Sequence, residues 1–178
     1  RMKALLRRAL DEAEFLSPYG VRSVSKHHAA NPYVFEHRGS RFEIGYVPGD
    51  SATQAFGGNS NWRGPVWMPV NMLLIDSLRR FHRYYGDEFL VECPTGSGKM
   101  LHLGQVADEL SVRLSRLFLR GADGRRPAMG EAREDDPVLF HEYFDGDTGR
   151  GLGASHQTGW TALIAVLLDH GAPGGTAP

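Results

Sequence analysis

Apolar residues return at helical spacing in four segments of the chain, and this periodicity predicts four helices. The predicted helices cover residues 1–16, 65–85, 101–119 and 159–170. Pro65 suits the first turn of the second helix, because the N–H that proline lacks would be unpaired there anyway. Gly86 is typical of the residue just past a helix end. Ser17-Pro18 and Gly20 end the first helix.

One segment has strand character. Tyr33–Phe35 and Arg41–Ile44 flank a polar turn at residues 37–40, which predicts a β-hairpin. Glycine-rich stretches at residues 45–64 and 120–137 predict long loops, which are often functional in compact domains. Four helices with such long connections favour an all-α helical toroid with a binding crater over a four-helix bundle, whose loops are usually short.

Composition narrows the possible partners. The formal net charge is −1 and the basic residues are scattered, so nothing predicts a nucleic acid or an anionic membrane as partner. No apolar run approaches the ~20 residues of a membrane span. The single cysteine, Cys93, excludes a disulfide within the chain and a thiolate-rich metal site. This cysteine usage fits a reducing compartment, and we expect a cytoplasmic protein.

The segment 56–71 combines aromatic and polar groups in a glycine-rich loop that enters the second helix. Trp62 and Trp67 bracket Arg63, and Asn71 follows on the helix. Aromatic faces offer flat apolar area, while Arg and Asn offer oriented donors. A sugar has an apolar face and a rim of hydroxyls, so this mixture suits carbohydrate. A structural loop in which the tryptophans plug the core explains the composition equally well.

The segment 141–161 brings acidic residues, glycines, histidines and a tryptophan together just before the fourth helix. Glycoside hydrolysis generally uses two carboxyl groups, and the candidates here are Glu142, Asp145 and Asp147. Asp-Gly and Asp-Thr-Gly are turn-like sequences, so Asp145 and Asp147 fit a structural role. Glu142 lies between His141 and two aromatic residues, which makes it the better catalytic candidate.

Two further patterns are weaker. Residues 93–99, CPTGSGK, resemble a phosphate-binding loop, but Cys93 and Met100 stand where that motif needs Gly and Ser or Thr. His27, His28 and His37 lie in polar segments without the spacing of a zinc-binding helix. We therefore expect no metal and no cofactor.

Two long stretches resemble glycoside hydrolase family 63: GGNSNWRGPVWMPVN at 57–71 and HEYFDGDTGRGLGASHQTGWTALIA at 141–165. The resemblance implies an (α/α)6 toroid that cleaves α-linked sugars, mostly glucosides, with inversion. It implies that Glu142 is the general base. The predicted sugar contacts lie in the same two stretches: Trp62, Arg63, Gly64, Trp67, Asn71, His156, Gln157 and Trp160.

The pattern of the family is incomplete in this chain. No segment matches the aspartate that serves the family as general acid, and four helices fall short of the twelve in a toroid. The chain also opens at Arg1 inside a helical pattern. We therefore predict that residues 1–170 form the C-terminal part of a catalytic domain and that 171–178 form a flexible tail. The predicted partners are a carbohydrate substrate and the remainder of that domain, without which the chain is predicted to be inactive.

Three other functions remain open at this stage. A non-catalytic carbohydrate-binding module would keep the aromatic loop without a carboxylate in the crater. A sugar epimerase on a similar toroid would need an acid/base pair such as His141 and His156. A nucleotide hydrolase would use residues 93–99.

Overall fold

A computed structural model describes residues 1–51, 62–131 and 136–171, without the side chains of the last two residues. The described α-helices are α1 (Met2–Ala9), α2 (Met68–Tyr85), α3 (Leu103–Ser115), α4 (Thr158–Thr161) and α5 (Ile164–Gly171). The strands are β1 (Leu16–Ser17), β2 (Gly20–Val21), β3 (Tyr33–His37), β4 (Ser40–Ile44), β5 (Leu90–Glu92), β6 (Met100–His102), β7 (Tyr143–Phe144) and β8 (Gly151–Leu152). Short 3₁₀ turns lie at Lys26–Ala29 and Pro127–Met129.

The prediction of an all-α toroid fragment is wrong, because the strands form four two-stranded antiparallel sheets beside the helices. Three of these sheets join strands of only two or three residues. Such strands are too short to show the alternation by which a strand is recognised in a sequence. The predicted hairpin is confirmed as the pair β3–β4, in which Arg38 and Gly39 adopt the positive φ of a tight turn.

All four predicted helices have different ends, and the third is confirmed only over Leu103–Ser115, because Leu101 belongs to strand β6. The first ends at Ala9, and Leu16, which continues its apolar stripe, pairs with Val21 in the sheet β1–β2. The second begins at Met68, since the backbone at Val66 pairs with Arg22 and Phe144 instead. The fourth is divided into α4 and α5. Tertiary pairing therefore overrides helical periodicity at these ends.

Helix α3 forms the centre of the core. Its fully buried side chains include Leu103, Val106, Leu110 and Leu114, and they pack between α2 and α5. Each such side chain contributes about 1.5–3 kcal/mol when it is removed from water. The start of α3 has a capping box, in which His102 and Gln105 exchange side-chain and backbone hydrogen bonds.

One face of α2 remains exposed. Its large apolar side chains at the surface are Val70, Leu73, Phe81, Tyr84 and Tyr85, and Tyr84 is 81% exposed. An apolar stripe of this length on a helix normally packs against another element. Within the described residues nothing covers it. None of the described helices combines the length and apolar character needed to cross a membrane. Of the predicted tail at 171–178, Gly171 is the last residue of α5, and 172–178 lie outside the described residues, as do residues 57–61 of the first motif.

Candidate functional site

The two motif segments, which are residues 62–71 and residues 141–161 in the described part of the chain, meet directly. The backbone N–H of Val66 donates to the carbonyl of Phe144 at 2.8 Å, and the N–H of Phe144 donates back to Val66 at 2.9 Å. This antiparallel bridge joins the residues just before α2 to β7. It places Trp67 next to Tyr143, and therefore places the aromatic loop beside the residue that follows Glu142.

Three aromatic rings form a pile at this junction. Trp62 stacks on Trp67 with centroids 4.1 Å apart, and Trp67 stacks on Tyr143 at 4.9 Å. Trp62 and Tyr143 lie on opposite faces of Trp67. On the same face, two rings this close to Trp67 would collide with each other. Trp67 is 5% exposed, whereas Trp62 is 46% exposed and ends the pile at the surface. Trp62 can therefore offer a face to a ligand, and Trp67 supports it.

Helix α4 brings a third tryptophan to the pile. Trp160 meets Trp67 edge-on with centroids 6.2 Å apart and is itself 37% exposed. Residues 140–141 hold the helix, since the N–H of Gln157 donates to Phe140 at 2.8 Å and the hydroxyl of Thr161 donates to the carbonyl of His141. The exposed edges of Trp62 and Trp160 thus belong to one aromatic surface.

Glu142 lies beside Tyr143, at the buried end of the pile, and is half-buried directly before β7. Its Oε2 accepts the N–H of Ala154 at 3.3 Å, and no cation among the described residues pairs with it. Gly153 allows this approach: a Cβ there would lie 2.8 Å from Oε2 of Glu142 and 2.6 Å from the ring of Tyr143. Gly153 also has φ +70°, which side chains rarely adopt. The carboxylate is oriented by a backbone donor rather than by an ion pair.

The residues 46–50, here called the strap, run between the two motif segments. The N–H of Val47 donates to the carbonyl of Arg63 at 2.8 Å, and the carbonyl of Pro48 accepts from Gly146 at 2.9 Å. At its end, Asp50 accepts a 2.6 Å hydrogen bond from the phenol of Tyr143. Sequence reasoning missed this role, because residues 45–64 had only the composition of a loop.

Burial raises the pKa of the Tyr143 phenol, and its hydrogen bond to Asp50 and the negative charges of Asp50 and Glu142 raise it further. The phenol therefore stays protonated and donates to Asp50 at any ordinary pH. Tyr143 links Glu142, the aromatic pile and the strap. The one clue in the sequence is that an aromatic residue follows Glu142.

The other two acidic candidates have structural contacts. Oδ1 of Asp145 accepts the N–H groups of Asp147 and Thr148, which confirms a turn. Oδ1 of Asp147 accepts from Arg22, Lys26 and Tyr46 at 3.0–3.1 Å. Burial alone would raise the pKa of Asp147, but these hydrogen bonds outweigh it and hold the pKa below its usual range.

Most of the remaining predicted sugar contacts have internal partners. The amide of Asn71 is 1% exposed and bonds to the backbone of Val21 and Trp67. The N–H of Gly64 donates to Ser23, and Arg63 is 4% exposed. These residues shape the loop. Their contact with a sugar stays a prediction, and for Asn71 and Trp67 the geometry favours a supporting role.

The two histidines near the site differ in environment. His156 is exposed, and Gln157 beside it is half-buried at the start of α4. The ring of His141 packs against Gly151, where a Cβ would collide with it. Burial lowers the pKa of His141, and the charges of Arg150 and His156 lower it further. A tightly packed His141 beside an exposed His156 does not favour the facing acid/base pair of an epimerase.

A separate group, His82, Asp87 and His102, has donor atoms within 4.8 Å of one another. The two imidazoles stack at 4.3 Å, and Nε2 of His82 lies 3.4 Å from Asp87. Nδ1 of His102 accepts the N–H of Gln105 in the capping box. Its Nε2 must then carry the ring proton, so it has no lone pair for a metal. This arrangement favours a helix cap.

The loop that resembles a phosphate-binding motif joins β5 to β6. Its backbone donors at Gly96 and Gly98 bind the chain's own Glu92, with the Gly98 N–H at 2.6 Å, and these bonds lower the pKa of that carboxyl. Cys93 is buried, which raises the pKa of its thiol to about 11. The carboxylate of Glu92 occupies the donors that a phosphate would need, so the geometry does not favour nucleotide binding.

Comparison with known proteins identifies relatives of much greater length. An uncharacterized protein of Saccharomyces cerevisiae, YMR196W, is 51% identical in an alignment that covers 95% of this chain and 16% of that protein. Mannosyl-oligosaccharide glucosidase of the same yeast is 31% identical over 64% of the chain and 11% of its own length. Mannosylglycerate hydrolase of Rubrobacter radiotolerans is 34% identical over 61% of the chain and 15% of its own length. The chain thus spans about one sixth or less of these relatives.

The family model of a glycoside hydrolase domain matches residues 1–161. This range includes the strap, residues 57–71 and residues 141–161 of the second stretch. This match assigns the chain to the class of glycoside hydrolase domains. The chain belongs to the family described as mannosylglycerate hydrolase MGH1-like glycoside hydrolase domain. The resemblance to glycoside hydrolase family 63 is thereby confirmed.

Proposed function

We propose that this chain supplies the general base and part of the sugar-binding surface of an inverting α-glycoside hydrolase. The observation that supports the proposal is the junction of Val66 with Phe144, which stacks Trp67 on Tyr143, the neighbour of Glu142. Aromatic area suits the apolar face of a sugar, and an oriented carboxylate is one of the two acid–base groups that glycoside hydrolysis generally uses.

In this mechanism Glu142 takes a proton from a water molecule as that water attacks the anomeric carbon. The hydrogen bond from Ala154 fixes one carboxylate oxygen, which leaves the other free to face the water. The apolar rings of Trp62 and Trp160 pack against the sugar and exclude bulk water from the reacting face.

The second carboxyl group, the general acid, has no candidate among the described residues. Asp145 and Asp147 are engaged in a turn and an ion-pair network, respectively. Inversion requires the two carboxyl groups to stand about 6.5–9.5 Å apart, with water between them. We propose that the general acid lies in another part of the same catalytic domain, and that this part covers the exposed face of α2.

The substrate class follows from the relatives. Their names include a mannosyl-oligosaccharide glucosidase and a mannosylglycerate hydrolase. The first name describes a glucosidase that acts on a mannosyl-oligosaccharide, and the second describes a hydrolase of mannosylglycerate. We propose an α-linked glucoside or mannoside as substrate. A non-catalytic carbohydrate-binding module would use the same aromatic surface, but it would give no reason to orient Glu142.

The test is hydrolysis of α-linked gluco- and manno-disaccharides and of their glycerate glycosides by the complete protein, followed by ¹H NMR. We expect turnover in which the first sugar released is the β-anomer, since inversion reverses the α configuration. Release of the α-anomer would contradict the single-displacement role of Glu142. Binding of these sugars without hydrolysis would support the binding-module alternative.

A further inference from the structure

The end of the strap places a second carboxylate at the site. Asp50 is exposed, yet its Oδ1 accepts a 2.6 Å hydrogen bond from Tyr143, whose side chain is 2% exposed. The carboxylate of Asp50 is therefore held by the phenol of a buried ring. The ring of Tyr143 cannot move without disturbing its stack on Trp67. Among the described residues, the phenol of Tyr143 is the hydrogen-bond partner of Asp50.

The geometry of the strap adds a second constraint on this carboxylate. Gly49, the residue before Asp50, lies against the site, where an added Cβ would be 3.1 Å from Asp145 and 3.7 Å from Leu152. Leu152 packs with Trp67 and Tyr143 in one buried cluster. The backbone immediately before Asp50 is therefore packed on the aromatic pile, and both its main chain and its side chain are fixed.

We propose that Asp50 is a substrate-binding residue of the Glu142 site, where it accepts hydrogen bonds from hydroxyl groups of the sugar. This assignment rests on the proposed hydrolase function. A carboxylate offers about four lone-pair positions, and Tyr143 occupies one of them. Hydrogen bonds from neutral donors to an ionised acceptor are about twice as strong as those between neutral groups. A sugar hydroxyl that approaches the exposed side of the Asp50 carboxylate is such a donor.

The hydrogen bond from Tyr143 also distinguishes Asp50 from a catalytic acid. A general acid must carry a proton and donate it to the leaving oxygen. Asp50 instead receives a short hydrogen bond from a phenol whose proton is firmly held, so it is arranged as an acceptor. Asp50 and Glu142 both lie next to Tyr143, so the two carboxylates can contact different parts of one sugar.

The test compares Asp50→Asn, Tyr143→Phe and the double variant in the complete protein. Asp50→Asn keeps the shape and removes the charge, and Tyr143→Phe keeps the stacked ring and removes the donor. Asp76→Asn is the control, because its carboxylate pairs only with exposed Arg80 on α2. The readouts are kcat and KM on the best α-linked substrate, the Kd of glucose and of deoxynojirimycin by calorimetry, and the melting temperature.

We expect Asp50→Asn to raise the KM and the glucose Kd about tenfold, because one or two charge-assisted hydrogen bonds are lost. The kcat should change less than about threefold. Tyr143→Phe should raise the KM and the glucose Kd by a smaller factor. The double variant should bind glucose no more weakly than Asp50→Asn does. Binding of cationic deoxynojirimycin should weaken more than that of glucose. The control should match the wild-type protein.

An unchanged KM and glucose Kd in a folded Asp50→Asn protein would overturn the proposal. A loss of kcat above about a thousandfold with unchanged Kd would overturn it as well, because Asp50 would then be a catalytic group. A wild-type protein that neither hydrolyses the substrates nor binds either sugar would instead contradict the proposed function, and this assignment with it.

Discussion

At the scale of single residues, the site depends on close approaches that only glycine allows. Gly153 lies against both Glu142 and Tyr143. Glycine-rich composition was visible in the sequence, but composition does not say which glycine faces a side chain. The same holds for Asp50 and Tyr143, whose contact joins residues that are 93 positions apart. The sequence favours Glu142 because its neighbours in the chain are not those of a turn, and its catalytic role stays a prediction.

Gly153→Ala should therefore impair the site more than the fold. The new methyl group would push on the carboxylate of Glu142, and we expect kcat to fall at least tenfold in the complete protein. Gly39→Ala is the matched control, since Gly39 has a similar φ of +79° but nothing within 4 Å of an added Cβ. Both variants place a side chain at a positive φ, which should lower the free energy of unfolding by about 1–2 kcal/mol in each. Equal kcat values in the two variants would therefore contradict the role of Gly153 at the site.

Asp147 should influence the stability of the protein and its dependence on pH. Its folded-state pKa is lowered, so its contribution is present above the ordinary carboxyl pKa and is lost as the pH falls through the lowered value. Asp147→Asn removes the partner of Arg22, whose side chain is 3% exposed, and should cost about 2 kcal/mol at pH 7. Because Asp147 is itself about one-third exposed, this figure is below that of a fully buried pair.

Chemical denaturation of both proteins at pH 7 and at pH 3 provides the measurement. The difference in the free energy of unfolding between wild type and Asp147→Asn should shrink at the lower pH. A difference that is equal at the two pH values would contradict the ion-pair role of Asp147.

At the scale of elements, periodicity located the long helices and failed at their ends. Helices α2 and α3 have enough turns for an apolar stripe to stand out, and the β3–β4 hairpin has a clear polar turn. The short sheets depend on partners far along the chain, and local sequence carries no signal for them. The bridge between Val66 and Phe144, which builds the site, is such a pairing.

Arg113 on α3 connects this helix to the N-terminal segment. Its guanidinium is 7% exposed and donates to Glu109, Glu12 and the carbonyl of Ser17 at 2.8–2.9 Å. Arg113→Met should lower the free energy of unfolding by about 2–4 kcal/mol, because acceptors of a buried cation are left without a donor. Arg79→Met, which breaks a surface pair with Asp108, should change it by less than about 0.5 kcal/mol. Similar losses in urea denaturation of the two variants would contradict the structural role of Arg113.

At the scale of the whole molecule, the chain exposes apolar surface that a larger domain would cover. The exposed residues of α2 include Leu73 and Tyr84, at 69% and 81%. The relatives are several times longer, since the chain covers 11–16% of the three named above. That the general acid lies outside this chain stays a prediction, whereas the predicted all-α class of the fold is wrong because the sequence carries no signal for the small sheets.

The purified 178-residue chain should therefore show no turnover of α-linked glucosides or mannosides, because we propose that the general acid lies in another part of the catalytic domain. The complete protein provides the comparison under the same conditions, and reducing-sugar release is the assay. Turnover by the isolated chain would show that both carboxyl groups lie within it, which would contradict the assignment of the acid to another segment.

The role of Glu142 is tested most directly by Glu142→Gln in the complete protein, with kcat and the Kd of glucose measured side by side. The amide cannot accept a proton from water, so kcat should fall by about 10³-fold or more, whereas the Kd should change by less than about fivefold because the aromatic surface is intact. Asp145→Asn serves as a structural comparison, since among the described residues the Oδ1 of that carboxylate accepts the N–H groups of a turn. A Glu142→Gln protein that retains near-normal kcat would contradict the central claim.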